Sequence, residues 1–160
     1  MSTFTPFLTF IDSNVFTICL IGIVICIYAV NIEKSGKNPK YKRLCDVNES
    51  MSCTLVLTSK YGHMAKLLFN LNEHSIFNMS NAQYGLLFYL GLLCFQFYPF
   101  TLLPYYDVLF FVATLSSVIA SIGLAWILYY ILHNFCMICV CMYIINSLLF
   151  TSAVMRLINS

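Results

Sequence analysis

Four stretches of this chain carry no charged residue and approach the length of a bilayer: residues 15–32, 82–98, 108–132 and 135–154. A helix needs about 20 residues to cross the hydrocarbon core. Lipid offers no hydrogen-bond partner, so such a stretch must satisfy its own backbone, and a helix does so within one segment. The expected fold is an all-α membrane protein, a four-transmembrane-helix bundle forming one domain over residues 1–160. The composition, 61% hydrophobic and 9% charged, agrees and excludes a soluble domain. The formal charge is only +2, and seven of the eight basic residues fall in one loop, so no nucleic-acid partner is expected. Residues 1–14 lack a basic flank and a small-residue cleavage site, so the first span is expected to be retained.

Residues 33–80 form the one long polar stretch, expected as a loop that caps the bundle between helices one and two. It opens on a turn-rich run, Glu33 to Lys40, and holds Cys45 and Cys53. Farther along, Met64, Leu67, Leu68 and Leu71 follow an i, i+3, i+4, i+7 spacing, which predicts a short amphipathic helix around 61–72. Ser80 or Asn81 is the expected N-cap of helix two. Pro99 and Pro104 bracket its exit, because neither can continue the backbone ladder. Cys19, Cys26, Cys94 and Cys141 read as small apolar packing residues.

Helix three ends at His133-Asn134, and Cys136-Met137-Ile138-Cys139 follows almost at once. Two thiols at i and i+3 at a helix head share one face, beside unpaired N–H groups that favour thiolate. In a chain with 8 Cys among 160 residues, that spacing alone decides nothing. Parity adds to it. With four spans, the loop after helix one and the turn before helix four lie on the same side of the membrane. Cys45 and Cys53 can then reach Cys136 and Cys139 and exchange disulfides with them. Tyr143, four residues beyond Cys139, lies on the same face one turn deeper. His74 and His133 have no convergent ligands at metal spacing, so no metal is expected.

The loop's orientation is contested. Its basic residues favour the cytosol, whereas thiols suited to a disulfide favour an oxidising lumen. The sequons Asn48-Glu49-Ser50 and Asn78-Met79-Ser80 also favour the lumen. The lumen is the expectation.

Over nearly its whole length the chain resembles the vitamin K epoxide reductase family. The likeness rests on Leu44-Cys45-Asp46-Val47, Ser52-Cys53, Asn78-Met79-Ser80-Asn81, Leu124-Ala125-Trp126-Ile127-Leu128, Phe135-Cys136-Met137-Ile138-Cys139 and Tyr143. The resemblance implies an oxidoreductase of the endoplasmic reticulum membrane, with the long loop luminal and both termini cytosolic. It implies thiol-dependent reduction of vitamin K 2,3-epoxide to quinone and of quinone to hydroquinone, supporting γ-glutamyl carboxylation. The quinone or epoxide would be a substrate, with no tightly bound cofactor. Cys136 and Cys139 would be the catalytic pair. Cys45 and Cys53 would relay electrons from a luminal thioredoxin-like dithiol protein, and Asn81 and Tyr143 would hydrogen-bond the quinone oxygens. With helix four entering from the lumen, Cys139 lies about 4.5 Å deeper than Cys136, which makes Cys139 the expected attacker of substrate. Leu57, Tyr61 and Tyr84 stand where vertebrate members usually carry Phe, Trp and Phe. The alternatives are a quinone-coupled disulfide-generating membrane protein and a non-enzymatic four-span scaffold.

Overall fold

The computed structural model describes residues 14–36, 46, 52–64, 78–96 and 105–159. They form α1 (Val15–Ser35), the short α2 (Cys53–Leu57), a 3-10 turn (Lys60–His63), α3 (Asn81–Phe95), α4 (Tyr106–Ile127) and α5 (Met137–Asn159). A π-helical turn, Leu128–Leu132, continues α4. There is no strand among the described residues.

Three helices are long and apolar enough to cross a bilayer: Val15–Ser35, Tyr106–Leu132 and Met137–Asn159. The fourth expected span appears as the shorter apolar helix α3, 15 residues to Phe95. At 1.5 Å per residue it is about 22 Å long, less than a hydrocarbon core of about 30 Å. Residues 97 and 98 of the expected span lie outside the described residues.

The other boundaries move for local reasons. α1 runs on through Glu33, Lys34 and Ser35, which were expected in the loop. Polar side chains at a membrane surface do not stop a backbone ladder, and Gly36 N–H closes the helix by donating to the Glu33 carbonyl at 3.3 Å. α5 starts at Met137 rather than at 135, because the chain must first reverse. That reversal occurs at His133, a non-glycine residue in the left-handed region at φ 49° and ψ 32°. Ser80 is the N-cap of α3 in a capping box with Gln83, which leaves Asn81 inside the first turn. Of the amphipathic helix expected around 61–72, the described part is the 3-10 turn; Leu67, Leu68 and Leu71 lie outside the described residues.

α1 packs on α3 and on α5, and α4 packs on α5. Small residues let α1 and α3 approach closely: a Cβ at Gly22 would lie 3.0 Å from the Tyr89 ring, and one at Gly85 3.1 Å from Cys26 Sγ. One core cluster includes Cys19, Cys26, Tyr89, Phe110, Ile145 and Leu149. A second, at the end where α2 tucks in, includes Ala29, Cys53, Leu57, Ala82, Leu128 and Cys136. At the opposite end the Arg156 guanidinium donates to Tyr106 Oη at 3.1 Å and lies over the Phe110 ring, joining the ends of α5 and α4.

Beside the α4–α5 reversal, Trp126, Tyr129 and Tyr130 form an exposed aromatic cluster. Amphipathic rings of this kind settle at the bilayer–water interface. Trp126 is the chain's single tryptophan, so its fluorescence reports the depth of this end alone. In reconstituted protein, lipids brominated near the headgroup are expected to quench it more strongly than lipids brominated near the chain ends. The opposite order would place the reversal inside the hydrocarbon.

Candidate active site

The reversal leaves Cys136 as the residue that caps α5. Its carbonyl accepts from Val140 N–H at 3.1 Å, and its sulfur accepts from Cys139 N–H at 3.4 Å. A thiol thus fills the place a serine or aspartate oxygen usually takes at a helix start. Cys136 is fully buried and Cys139 half-buried.

The third thiol arrives on α2. Ser52 caps this helix, its Oγ accepting from Leu55 N–H at 3.2 Å. The Asp46 carboxylate accepts from Thr54 N–H at 3.1 Å and from Ser52 Oγ at 2.9 Å. Ser52 N–H donates to the side-chain oxygen of Asn134 at 3.2 Å. Cys53, the first residue of α2, is fully buried in the same core cluster as Cys136. Cys136 lies just ahead of α5, and its thiol is pushed up to about 12. The first cause is the side-chain hydrogen bond with Cys139, which keeps the proton on Cys136; the bond with Cys53 opposes this, and burial reinforces it. The structure therefore brings Cys53, Cys136 and Cys139 together. Cys45 and Asn48 lie outside the described residues.

Below the dithiol opens a cavity of about 590 Å³, within the usual size of small-molecule sites. Cys139, Tyr143 and Asn146 line it from α5, Asn81 and Tyr84 from α3, and Leu57, Tyr61 and Met64 from the capping segment. α4 contributes small residues, among them Ser117, Ala120 and Gly123, and α1 contributes Cys26 and Ala29. The three positions that depart from the vertebrate pattern, Leu57, Tyr61 and Tyr84, all lie on this wall.

Asn81 is more than a wall residue. Its Nδ2 donates to the Tyr61 carbonyl at 2.8 Å, and its Oδ1 accepts from Met64 N–H at 3.1 Å. It latches the cap to α3, and one amide proton remains without a partner among the described residues. The Tyr143 hydroxyl likewise makes no hydrogen bond among them, although its residue lines the cavity.

Sequence reasoning missed Asn134 and Asn146. Tyr89 Oη donates to Asn146 Oδ1 at 2.6 Å, and Asn146 Nδ2 donates to Ser121 Oγ at 2.8 Å, so one amide joins α3, α5 and α4. An amide inside a charge-free run, three residues after Tyr143, was a signal for Asn146. Nothing local signals Asn134. Of the cysteines read as packing, Cys19 and Cys26 are buried, whereas Cys94 is exposed on α3.

These features define a class: a helical membrane protein whose dithiol sits at a helix mouth, touching a loop thiol on one side and an apolar cavity on the other. Within that class the chain belongs to the vitamin K epoxide reductase family, whose profile matches residues 14–154. It is 34% identical over 139 residues to vitamin K epoxide reductase complex subunit 1 of Rattus norvegicus, covering 81% of this chain and 80% of the rat protein. The Mus musculus protein of the same name is 34% identical over 138 residues, with 81% of this chain and 80% of the mouse protein covered.

Two outcomes follow from this geometry. In the reduced protein at neutral pH, a small maleimide is expected to modify half-buried Cys139 well before Cys136. Labelling of Cys136 should continue to lag as pH rises past the ordinary thiol range, near 8.5, because its proton is held up to about 12. Equal rates, read by peptide mass spectrometry, would contradict the assignment. Asn81→Ala removes two hydrogen bonds and leaves a backbone carbonyl and N–H unpaired. A loss of about 2 kcal/mol is expected in thermal unfolding, together with faster proteolysis of the cap; an unchanged midpoint would show the latch to be idle.

Proposed function

We propose that this protein is a vitamin K epoxide reductase-like oxidoreductase, reducing a quinone epoxide to the quinone and the quinone to the hydroquinone. The observation that carries this reading is the packing of Cys53, Cys136 and Cys139 in one cluster between the polar cap and the apolar cavity that Cys139 lines. The relatives' name points the same way. So does the wall chemistry, since Asn81 and Tyr143 offer a free N–H and O–H, and quinones and their epoxides present only acceptor oxygens.

In this reading residues 1–160 form one four-span domain of the endoplasmic reticulum membrane, with α3 as the fourth span, the cap luminal and both termini cytosolic. A luminal thioredoxin-like dithiol reduces the Cys45–Cys53 disulfide. The Cys53 thiolate attacks Cys136 of the oxidised Cys136–Cys139 pair and expels Cys139 as thiolate. Cys45 then attacks Cys53, reforms the loop disulfide and frees Cys136. Cys139 adds to the ring, while Asn81 and Tyr143 hold the ring oxygens. Cys136 attacks the Cys139 sulfur of the adduct, restoring the disulfide and leaving two electrons on the substrate. With two protons the epoxide leaves as quinone plus water, and the quinone leaves as hydroquinone. The supply of hydroquinone would support γ-glutamyl carboxylation.

Membranes containing the protein, given dithiothreitol and vitamin K epoxide, are expected to yield quinone and hydroquinone by chromatography. Cys136→Ala and Cys139→Ala should each fall to background. Cys136→Ala should accumulate a quinone adduct on Cys139, because the thiol that resolves it is gone, and Cys139→Ala should form none. An adduct on Cys136 would reverse the roles. Quinone-dependent oxidation of a dithiol partner without epoxide reduction would favour a disulfide-generating enzyme instead.

A further inference from the structure

The contact between Cys53 and Cys136 needs an explanation, because α2 cannot hold its own place. Five residues are far below the length at which a helix is stable alone. Three acceptors meet the first N–H groups of this segment. Ser52 Oγ and the Asp46 carboxylate are local, three and eight residues from the donors they bind. The Asn134 side chain is the exception: it reaches Ser52 N–H across 82 positions of sequence, at 3.2 Å. Ser52 immediately precedes Cys53, and Asn134 stands two residues before Cys136. One hydrogen bond thus joins the backbone next to one thiol to the turn that presents the other.

We propose that Asn134 is a positioning residue for the thiol relay: its amide oxygen docks α2 on the α4–α5 reversal and sets the approach of Cys53 sulfur to Cys136 sulfur. This rests on the relay reading above and deepens it. Exchange needs the attacking sulfur in line with the bond that breaks. The Cys53 thiolate supplies an electron pair to Cys136, the Cys136–Cys139 bond breaks, and Cys139 leaves as thiolate. Alignment of this kind governs rate and equilibrium alike, through effective concentration. The Cys53 and Cys136 side chains are both fully buried where they meet, so their approach is set by the packing of α2 on the reversal. The dock needs an acceptor oxygen at this position, which a carboxylate can also supply, at some cost from the Asp46 carboxylate that bonds the Ser52 hydroxyl.

The test reads thiol chemistry without any quinone. In the full-length Cys139→Ala protein in lipid nanodiscs, the Cys53–Cys136 disulfide is equilibrated against graded ratios of reduced and oxidised glutathione. Quantitative peptide mapping then gives the effective concentration of Cys53 at Cys136. Adding Asn134→Leu is expected to lower it by about tenfold, the loss expected for one hydrogen bond. Asn134→Asp keeps an oxygen in the same place and, with salt present to screen the Asp46 carboxylate, is expected to lose clearly less than the leucine variant. A merely structural asparagine would instead show equal losses in Leu and Asp, tracking thermal stability. Asn134→Ser, too short to reach Ser52, serves where the leucine variant does not fold, with the same expected loss. No cross-link in the parent, no loss in Leu or Ser, or an Asp loss as large as theirs would each overturn the proposal. A protein that reduces no quinone yet shows the Asn134-dependent equilibrium would refute the functional reading and leave the dock standing.

Discussion

The reversal at residues 133–136 is the constraint on which the site depends. Two helices long enough to span a bilayer meet there across only four residues, and the chain begins its reversal where His133 adopts a left-handed conformation. Such a conformation costs a non-glycine residue of order 1 kcal/mol, and the packing of α4 on α5 offsets it. With so little slack, Cys136 has one place to go, at the cap of α5. From there its sulfur meets the Cys139 N–H, and Cys139 faces the cavity half a turn below the mouth.

The cavity depends on a different economy. In hydrocarbon, helices gain little from apolar contact with one another, so close approach and interhelical hydrogen bonds decide how they assemble. Gly22 and Gly85 supply the close approach on the α1–α3 side. On the other side, Asn146 reaches Tyr89 and Ser121 at once, tying α3 to α4 through α5. The space between these two ties is the cavity. An apolar residue at position 146 would leave the Tyr89 hydroxyl without its acceptor and remove the link that fixes the cavity's width.

What was legible in the sequence had a period or a composition behind it. Charge-free runs announced the helices, and the Cys136–Cys139 spacing with Tyr143 announced one face of α5. The 15-residue α3 was overestimated because hydropathy continues past Phe95 into residues outside the described set. α2 was read as loop, because five residues show no periodicity and Ser52 is an unremarkable serine until Asp46 and Asn134 converge on it. Asn81 was readable as a helix-head residue, but its bonds to Tyr61 and Met64 lie 20 and 17 positions back and follow no local rule. Family resemblance named its ring-facing role; only the fold shows the latch.

The latch made by Asn81 also fixes which of its polar atoms remain for the cavity. A carboxamide has one acceptor oxygen and two N–H donors. The cap uses one lone pair of the oxygen and one donor, which leaves a latched Asn81 with one N–H unpartnered among the described residues. Tyr143 adds a hydroxyl that can donate, and Asn146, with its oxygen held by Tyr89 and one proton given to Ser121, has a single N–H left. On the α4 wall, Ser116 and Ser117 give their hydroxyl protons to backbone carbonyls and so set acceptor oxygens beside these donors. The cavity thus offers donors from α3 and α5 and acceptors from α4. In a low-dielectric pocket an unmet donor or acceptor costs about 1–3 kcal/mol. Leaving the Asn81 N–H or a serine oxygen unmet inside the cavity therefore carries that penalty, and what the site can hold depends on where a ligand's polar atoms fall, not on apolar area alone.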